Sequence, residues 1–408
     1  PKIRVGKFAN PPITLNPGDL FTITTDEDTI GNENIVSTSY KHLAKDVNHG
    51  DEILVNDGLI KLKVMEKTDQ DIFCEVINGG SLYDRRGINL PGIKISEPSL
   101  TDKDKTDLKF GLDNGVDYVA LSFVRDADSL REIKKIMGKY KVPVIAKLEK
   151  PEALNNLDEI IAEADGIMVA RGDLGVEILS ARVPVVQKEI IEKCIKIGKP
   201  VITATQMLDS MMTNPIPTRA ETSDVANAIF DGSDEVMLSG ETAFGKYPVE
   251  SVKMMKSIIC EAEKRASYYR LKPVDRYHSE DHEFANSICF AAYYAANEID
   301  ARYIVVFTRS GFTAEVMSAL RPKVPILALT PSEITMRKLT LQWGVYPRIL
   351  EKMMDFEADM GSLESFLKKD KWVEADDNIV VISGSSREAG GTNSLRLHAI
   401  GKQKNRKL

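Results

Sequence analysis

The fold is decided by the stretch Gly166-Ile-Met-Val-Ala-Arg-Gly-Asp-Leu-Gly175, in which an apolar run ends in a glycine-flanked acidic turn. A short, continuous apolar run is typical of a strand buried on both faces of a parallel sheet. Similar runs cover residues 118–123, 144–148, 201–204 and 235–238, and amphipathic helical segments cover 126–139, 151–163, 182–198, 218–231 and 248–268. Five successive strand-then-helix units predict a parallel sheet or barrel, with its chemistry at the carboxyl ends of the strands.

The segments on either side of these units have other patterns. Residues 5–90 alternate apolar and polar side chains between turn signals such as Asn56-Asp-Gly58, which predicts a small β-barrel or sandwich. Ile3 to Val5 is read as a strand at the start of the chain. Residues 271–283 are polar without a clear period and predict a linker, and residues 284–408 predict a second α/β domain.

Composition excludes several classes of protein. The 408 residues are 43% hydrophobic, which is enough apolar material for a large core without metal or disulfide cross-links. A net charge of −7 argues against nucleic-acid and anionic-membrane partners, because both prefer a basic surface. The four cysteines form no CxxC pair, and neither a signal peptide nor a membrane-length apolar run is visible, so we expect a cytoplasmic protein with reduced thiols.

Polar residues follow each of the five apolar runs and would meet at one edge of the sheet. They are Ser122, Phe123 and Arg125, then Lys147 and Glu149, then Arg171, Gly172 and Asp173, then Thr205 and Gln206, and finally Ser239, Gly240 and Glu241. The carboxylates of Glu149 and Asp173 suit Mg²⁺ or Mn²⁺, and the lack of nearby histidine or cysteine argues against zinc. The spacing predicts metal-assisted chemistry on a phosphorylated or keto acid, without specifying the reaction.

The same residues resemble the pyruvate kinase family, and the resemblance covers nearly the whole chain. It rests on six segments, namely Ile167–Glu177, Ala146-Lys-Leu-Glu-Lys-Pro-Glu-Ala153, Ala204-Thr-Gln-Met-Leu208, Pro217-Thr-Arg-Ala-Glu221 with Ser223-Asp-Val-Ala-Asn227, Met237-Leu-Ser-Gly-Glu-Thr242 and Asn89-Leu-Pro-Gly92. Leu148 stands where the family usually has isoleucine, which is a mild change.

The resemblance implies a TIM-type (β/α)8 barrel, incomplete at its N-terminus here, formed by residues 1–4 and 91–270. Residues 5–90 would be a small β-barrel lid inserted into it, and residues 284–408 a C-terminal α/β regulatory domain. The implied reaction converts phosphoenolpyruvate, ADP and a proton to pyruvate and ATP. A closing lid would exclude water and so prevent hydrolysis.

Each motif residue acquires an expected role from the resemblance. Glu149 and Asp173 would hold Mg²⁺ or Mn²⁺, and Lys147 would contact the phosphoryl group in flight and stabilise the enolate. The amides of Gly172 and Asp173, together with Thr205, would bind the substrate carboxylate, and Thr205 would lie near the face where the enolate is protonated. The remaining residues would hold nucleotide phosphates or line the site, namely Arg4 and Asp57 for the nucleotide and Ser122, Phe123, Arg125, Ser239 and Glu241 for the lining.

Two departures from the family pattern carry information. The family has two further βα units before the position of Pro1, bearing a phosphate-binding arginine and residues for a monovalent cation. The sequence leaves three explanations open: a longer polypeptide, a second chain that supplies these units, or a degenerate paralogue; intact later motifs favour the first. In addition, Lys2 and Val5 stand where potassium-dependent members carry Glu and Thr, so the Lys2 ammonium is expected to replace K⁺.

The C-terminal segment Thr308-Arg-Ser-Gly-Phe-Thr313 lies between a predicted strand and a helix beginning near Ala314. Hydroxyls and free amides at a helix start form a ready anion site, and the segment resembles the family's sugar-phosphate effector loop. The resemblance also implies a homotetramer under effector control. Two alternatives to the kinase stay open at this point: a metal-dependent pyruvate or phosphoenolpyruvate aldolase or lyase, and a catalytically silent metabolite-binding paralogue.

Overall fold

The computed structural model describes residues 2–93, 95–96, 100–265, 282–350, 360–384 and 391–401. Most of the predicted linker, residues 271–281, lies outside the described residues. Within the described ranges, we find no helix that combines the length and the apolar character needed to span a membrane. The chain divides into two compact units, one comprising Pro1–Ala164, Met168–Lys188 and Ala204–Gln206, and the other Asp165–Ile167, Glu189–Thr203 and Met207–Leu408.

The N-terminal part of the first unit is a β structure, as the alternating pattern predicts. Its elements are β1 (Ile13–Leu15), β2 (Leu20–Thr24), β3 (Ile35–Ser37), α1 (Leu43–Asp46), β4 (Glu52–Val55), β5 (Ile60–Lys67), β6 (Asp71–Asn78), β7 (Gly80–Leu82) and β8 (Ile88–Asn89). Six strands form a sheet in the order β3-β2-β6-β5-β4-β8, and β1 pairs with β7. The strand pairs are antiparallel except for the parallel pair β2–β3. Alternate side chains of β5 and β6, such as Leu62 and Cys74, are fully buried in its core.

The turn between β4 and β5 needs a left-handed backbone at three successive residues. Asn56 and Asp57 both have φ of 55°, and Gly58 has φ of 84°. Asn, Asp and Gly are the residues that tolerate this conformation, so the predicted turn forms where the sequence places it.

The start of the chain differs from the prediction. Residues Ile3 to Val5 do not form a strand; Arg4 and Val5 make isolated bridges to Gly87 and Thr38 of the β structure. Ile3 and Val5 are buried in the same hydrophobic cluster as the β strands. Two apolar side chains are therefore anchored by the β core, while single bridges replace a regular ladder.

The alternating strands and helices follow in the predicted order. They are α2 (Asp102–Asp113), β9 (Val119–Leu121), α3 (Ala127–Met137), β10 (Val144–Leu148), α4 (Pro151–Asn155), α5 (Leu157–Glu163), β11 (Gly166–Ala170), α6 (Arg171–Glu177), α7 (Val183–Lys196), β12 (Val201–Ala204), α8 (Arg219–Asp231), β13 (Glu235–Met237), α9 (Gly240–Ala243) and α10 (Pro248–Glu263). Short 3₁₀ turns cover Ser180–Arg182 and Asp209–Met212.

Strands β9 to β13 form one sheet in chain order, and β9 and β10 run parallel. Local signals explain the helix starts: the predicted capping box of Thr218 and Glu221 begins α8, and Pro151 occupies the first turn of α4. The helix predicted over 151–163 is instead two short helices that meet at Asn156.

The C-terminal part of the second unit is a second α/β structure. Its elements are α11 (Glu283–Glu298), β14 (Tyr303–Phe307), α12 (Phe312–Ala319), β15 (Ile326–Thr330), α13 (Glu333–Leu339), β16 (Val345–Ile349), α14 (Met360–Lys369), β17 (Asn378–Ser383) and β18 (Ser394–Ala399). The sheet order is β16-β15-β14-β17-β18, and only the β17–β18 pair is antiparallel among the registers described. Alternate residues of β14 belong to two different hydrophobic clusters, so this sheet is buried on both faces.

Candidate active site

Two strand ends of the first unit, those of β10 and β11, carry the three central polar residues. Lys147 is the fourth residue of β10, Glu149 follows that strand directly, and Asp173 lies in the first turn of α6, which starts as soon as β11 ends. All three line one cavity of about 550 Å³. Its lining also includes the predicted residues Lys2, Arg4, Ser122 and Phe123.

Glu149 is a buried carboxylate with both oxygens held. Its residue exposure is 2%, Oε1 lies 2.7 Å from the Lys147 Nζ, and Oε2 accepts the Phe123 backbone N–H at 2.8 Å. The Lys147 ammonium also donates to Ser122 Oγ at 2.9 Å. A buried carboxylate requires such partners because burial removes its hydration. The contacts therefore hold Glu149 and Lys147 in fixed positions beside the cavity.

The backbone after β9 and after β12 is left-handed at residues that rarely adopt that conformation. Phe123, which donates to Glu149, has φ of 56°, and Thr205 and Gln206 have φ of 70° and 54°. For bulky or β-branched residues this region costs on the order of 1–3 kcal/mol, and it concentrates at functional sites. The folded protein therefore accepts this unfavourable conformational free energy at the ends of β9 and β12.

Thr205 is tied to the start of α6. Its Oγ1 accepts the Gly172 N–H at 2.7 Å and donates to the Ala204 carbonyl at 2.6 Å, while Arg171 Nη2 donates to the Thr205 carbonyl at 2.8 Å. A Cβ on Gly172 would lie 3.4 Å from Thr205 Oγ1, so the two segments approach closely. The Gly172 amide, predicted to bind substrate, is here satisfied by Thr205.

Asp173 has a cation partner of its own. Lys2 Nζ lies 2.9 Å from Asp173 Oδ1, with side-chain exposures of 29% and 18%. Arg4 is exposed and donates to the Arg85 carbonyl at 2.9 Å. The structure thus brings the start of the chain to the cavity, as the resemblance implies for Lys2 and Arg4.

Four residues of the first unit that have a predicted role lie outside the cavity lining, namely Gly172 and Thr205, described above, and Asp57 and Arg125. Asp57 is exposed in the turn between β4 and β5. Arg125 donates to the Ile95 carbonyl at 3.2 Å, in the segment that returns from the β structure.

Ser239 and Glu241 belong to the second unit and are hydrogen-bonded to each other there. Glu241 is 2% exposed, and its two oxygens accept the backbone N–H groups of Leu208 at 3.0 Å and Ser239 at 2.8 Å. Within its own unit, Glu241 therefore holds the backbone that follows β12 and β13.

The loop 308–313 lies between β14 and α12, and its helix begins at Phe312, two residues before the predicted Ala314. Its hydroxyls are engaged locally: Thr308 Oγ1 accepts the Gly311 N–H at 2.9 Å, and Ser310 Oγ accepts the Phe312 N–H at 3.4 Å. Two further contacts hold this segment: the Arg309 carbonyl accepts from Thr335 Oγ1, and the Thr313 hydroxyl lies 2.6 Å from Thr392 Oγ1. Burial raises the pKa of the nearby Glu315 carboxyl.

Sequence reasoning missed three buried polar residues of the first unit, Asn89, Lys150 and Glu177. Asn89 and Glu177 stand inside motifs quoted above, and Lys150 directly follows Glu149. A lysine or glutamate in a loop motif is normally exposed, so only proximity to the carboxylates could have singled them out.

The carboxylates of Glu149 and Asp173 fit a divalent metal of the magnesium type. Among the described residues we find no cluster of three or more His, Cys, Asp and Glu side chains that could hold a metal. Mg²⁺ uses one or two protein carboxylates and takes its other ligands from water and substrate. Two carboxylates opening on one cavity match that requirement.

The sequence and structure match known proteins across both units. The family model for the barrel domain of pyruvate kinase matches residues 1–252, and that for its alpha/beta domain matches residues 286–398. The pyruvate kinase of Clostridium acetobutylicum is 42% identical over 404 residues, which is 98% of this chain and 85% of that protein. That of Sporosarcina psychrophila is 43% identical, over 98% of this chain and 69% of its own length.

A solved structure agrees with these sequence matches. The crystal structure of a pyruvate kinase from Cryptosporidium parvum superposes with a TM-score of 0.83 at 35% identity, covering 98% of this chain and 82% of that one. These matches favour the kinase prediction over the aldolase, lyase and silent-paralogue alternatives and confirm the barrel and α/β fold class. The chain belongs to the pyruvate kinase family and is a phosphotransferase enzyme.

Proposed function

We propose that the cavity at Lys147, Glu149 and Asp173 transfers the phosphoryl group of phosphoenolpyruvate to ADP, giving pyruvate and ATP. The observation that carries the proposal is the pairing of a buried carboxylate with an ammonium at 2.7 Å on a cavity that also opens to a second carboxylate. Anionic phosphate and carboxylate groups need this combination of fixed positive charge and metal ligands.

Glu149 and Asp173 would hold Mg²⁺ or Mn²⁺. When bound, the metal would neutralise charge on the phosphoryl oxygens. Lys147 would stabilise the phosphoryl group during transfer and the enolate that remains, since its Nζ is already positioned by Glu149 and Ser122. Phosphoryl transfer depends mainly on positioning and charge neutralisation, and both follow from side chains held this firmly.

Thr205 would guide the second half of the reaction, protonation of the enolate. Its hydroxyl is held between the Gly172 amide and the Ala204 carbonyl, and its left-handed backbone fixes the direction of the side chain. The substrate carboxylate would bind at the start of α6, against Asp173 and beside Thr205, with Ser122 and Arg125 supporting the site.

The β structure of residues 5–90 would serve as a lid over the nucleotide. Arg4 and Asp57 would contact nucleotide phosphates and metal when the lid closes. Exclusion of water then favours transfer to ADP over hydrolysis.

Lys2 would supply the positive charge that potassium supplies elsewhere. Its ammonium lies 2.9 Å from Asp173, so a fixed positive charge already stands beside the cavity without a monovalent cation. The enzyme is therefore proposed to work without K⁺. A cytoplasmic homotetramer, with a phosphorylated effector bound at Thr308, Arg309, Ser310, Gly311 and Thr313, completes the proposal.

The test measures pyruvate formed from phosphoenolpyruvate, ADP and Mg²⁺, with and without K⁺. Equal turnover in both conditions is expected, and Lys147→Met should lower kcat by roughly 10²–10³-fold, the effect of removing one preorganised charge from a transition state. Lys196→Met, on the exposed face of α7, is the matched control and should leave turnover unchanged. Strong activation by K⁺ would refute the role of Lys2, and full activity of Lys147→Met would refute the assignment of the site.

A further inference from the structure

Asn89, Lys150 and Glu177 form a buried polar network beside the metal-binding segments. Their residue exposures are 4%, 7% and 7%. Glu177 Oε1 accepts from Lys150 Nζ at 2.6 Å and from Asn89 Nδ2 at 2.9 Å. One carboxylate oxygen therefore receives both an ammonium and an amide donor.

The network connects the two segments that carry the proposed metal ligands. Lys150 is the residue after Glu149, and Glu177 is the last residue of α6, one helical turn after Asp173. A helix moves as a rigid body over one turn, so a force on Glu177 shifts Asp173 with it. The distance between the two carboxylates thus depends on the contact between Lys150 and Glu177.

The β structure reaches α6 at the same end. Asn89 is the last residue of β8, and it shares the Glu177 oxygen with Lys150. The turn that holds Asp57 also packs there, since a Cβ on Gly58 would lie 3.4 Å from Val176 Cγ1. The C-terminal end of α6 is therefore contacted by both the return strand and a turn of the proposed lid.

We propose that Lys150 is a positioning residue, which acts through Glu177 to set the place of α6 and so the spacing of the Asp173 and Glu149 carboxylates. The inference rests on the proposed metal role of those two carboxylates. Asn89 contacts the same oxygen, so the position of β8 is coupled to metal affinity through one carboxylate.

The physical basis is the high penalty for separating a buried pair. If α6 moved away from the β10 loop, a buried ammonium and a buried carboxylate would each lose their partner. Asn89 Oδ1 is itself buried without a hydrogen-bond partner in the described part of the chain, so the network has few groups that could replace a lost contact. Lys150 therefore fixes the distance between α6 and the β10 loop before the metal binds.

The decisive measurement is Mn²⁺ affinity of the full chain without substrate, from the electron paramagnetic resonance signal of free Mn²⁺. Lys150→Met keeps the side-chain length and removes the charge, and should weaken Mn²⁺ binding by about 10- to 100-fold, as loss of an outer-shell partner does. At saturating Mg²⁺ its kcat should approach that of the wild type, while the Mg²⁺ concentration for half activity rises. Lys150→Arg should recover part of the affinity.

Two controls separate positioning from general destabilisation. Arg321→Met breaks a buried pair in the second unit and should leave Mn²⁺ affinity unchanged. Lys150→Met with Glu177→Leu removes both charges, so it should fold more stably than Lys150→Met yet keep the weakened Mn²⁺ affinity. This double variant also serves as the test if Lys150→Met does not fold.

Wild-type Mn²⁺ affinity in a folded Lys150→Met protein, or in the double variant, would overturn the inference while leaving the proposed reaction intact. A wild-type chain that neither binds Mn²⁺ nor forms pyruvate would overturn the proposed function, and the inference with it. The two failures are distinguished by the wild-type measurements.

Discussion

Lys150 with Glu177 in the first unit, and Arg321 with Asp234 in the second, are ion pairs of similar burial and very different construction. The side chains of the first pair are 9% and 1% exposed, and those of the second 5% and 3%. The first pair consists of one ammonium contact to one carboxylate oxygen, shared with an amide. The second is a two-pronged guanidinium contact at 2.6 and 2.8 Å.

The Asp234 carboxylate of the Arg321 pair is held by backbone donors in addition to the guanidinium. Asp234 also accepts the backbone N–H groups of Val201 at 2.9 Å and Trp343 at 3.2 Å, and Arg321 donates to the Gly232 carbonyl at 3.0 Å. The guanidinium carbon lies 4.9 Å from the centre of the Trp343 ring, within cation–π range. These contacts link separate segments of the second unit, so the Arg321–Asp234 pair is a structural clamp.

The comparison teaches that burial alone does not define what an ion pair does. A carboxylate that accepts several hydrogen bonds, as Asp234 does, keeps its position even when one donor moves away, so the pair contributes to stability. Glu177 is held by one ammonium and one amide on a single oxygen, so its position, and that of α6, responds to two side chains, of which only Lys150 is charged. The following predictions test this distinction, beginning with the largest expected effect.

Arg321→Met should lower the free energy of unfolding by about 3–5 kcal/mol, because it leaves the buried Asp234 charge without its cation. Urea unfolding monitored by circular dichroism measures the change. A loss below about 1 kcal/mol would mean that this buried pair contributes no more to stability than an exposed ion pair does. The proposed contrast with Lys150 would then be removed.

Glu235 adjoins the clamp and should make stability depend on pH. Burial, with a smaller effect from the Asp234 charge, raises the pKa of Glu235 to about 7. Between the pKa of the unfolded chain and about 7, the folded state keeps a proton that the unfolded state has lost, so stability should fall as pH rises. Glu235→Gln should remove this dependence.

Thermal unfolding at pH 5 and pH 8 provides the measurement. The Gln variant should match the wild type at pH 5 and exceed it at pH 8 by up to about 3 kcal/mol. Because the Asp234 charge contributes to the shift, Arg321→Met should raise the pKa of Glu235 further. Equal pH dependence in wild type and Glu235→Gln would exclude Glu235 as the source.

The exposed pair of Glu192 and Lys196 gives the smallest effect and calibrates the comparison. Its atoms are 2.7 Å apart, one turn apart on α7, with side-chain exposures near one half. Glu192→Gln should cost only about 0.3–0.5 kcal/mol, and added salt should reduce that difference. A cost as large as that of Arg321→Met would show that contact distance, rather than burial and the number of hydrogen-bond donors, governs these pairs.

Local sequence signals predicted most of the elements because their causes are local. The apolar runs of β10, β11 and β12 begin and end where they were predicted, and the Thr218 capping box starts α8. Strand β16 was missed, since Tyr346, Pro347 and Arg348 interrupt its apolar pattern, although it pairs in register with β15. At Ile3 to Val5 the β-branched residues suggested a strand, but the chain finds only isolated bridges there.

By itself, the sequence determined the order of strands and helices, the polar residues at the strand ends and the motifs of the kinase family. These follow from periodicity and from residue types at short spacing, which act within a few positions along the chain. The tertiary structure alone decided how the polar side chains pair: Lys2 with Asp173 across 171 positions, Asn89 with Glu177 across 88, and Arg321 with Asp234 across 87. Pairing over such separations depends on which segments pack together, and burial then makes each partner indispensable.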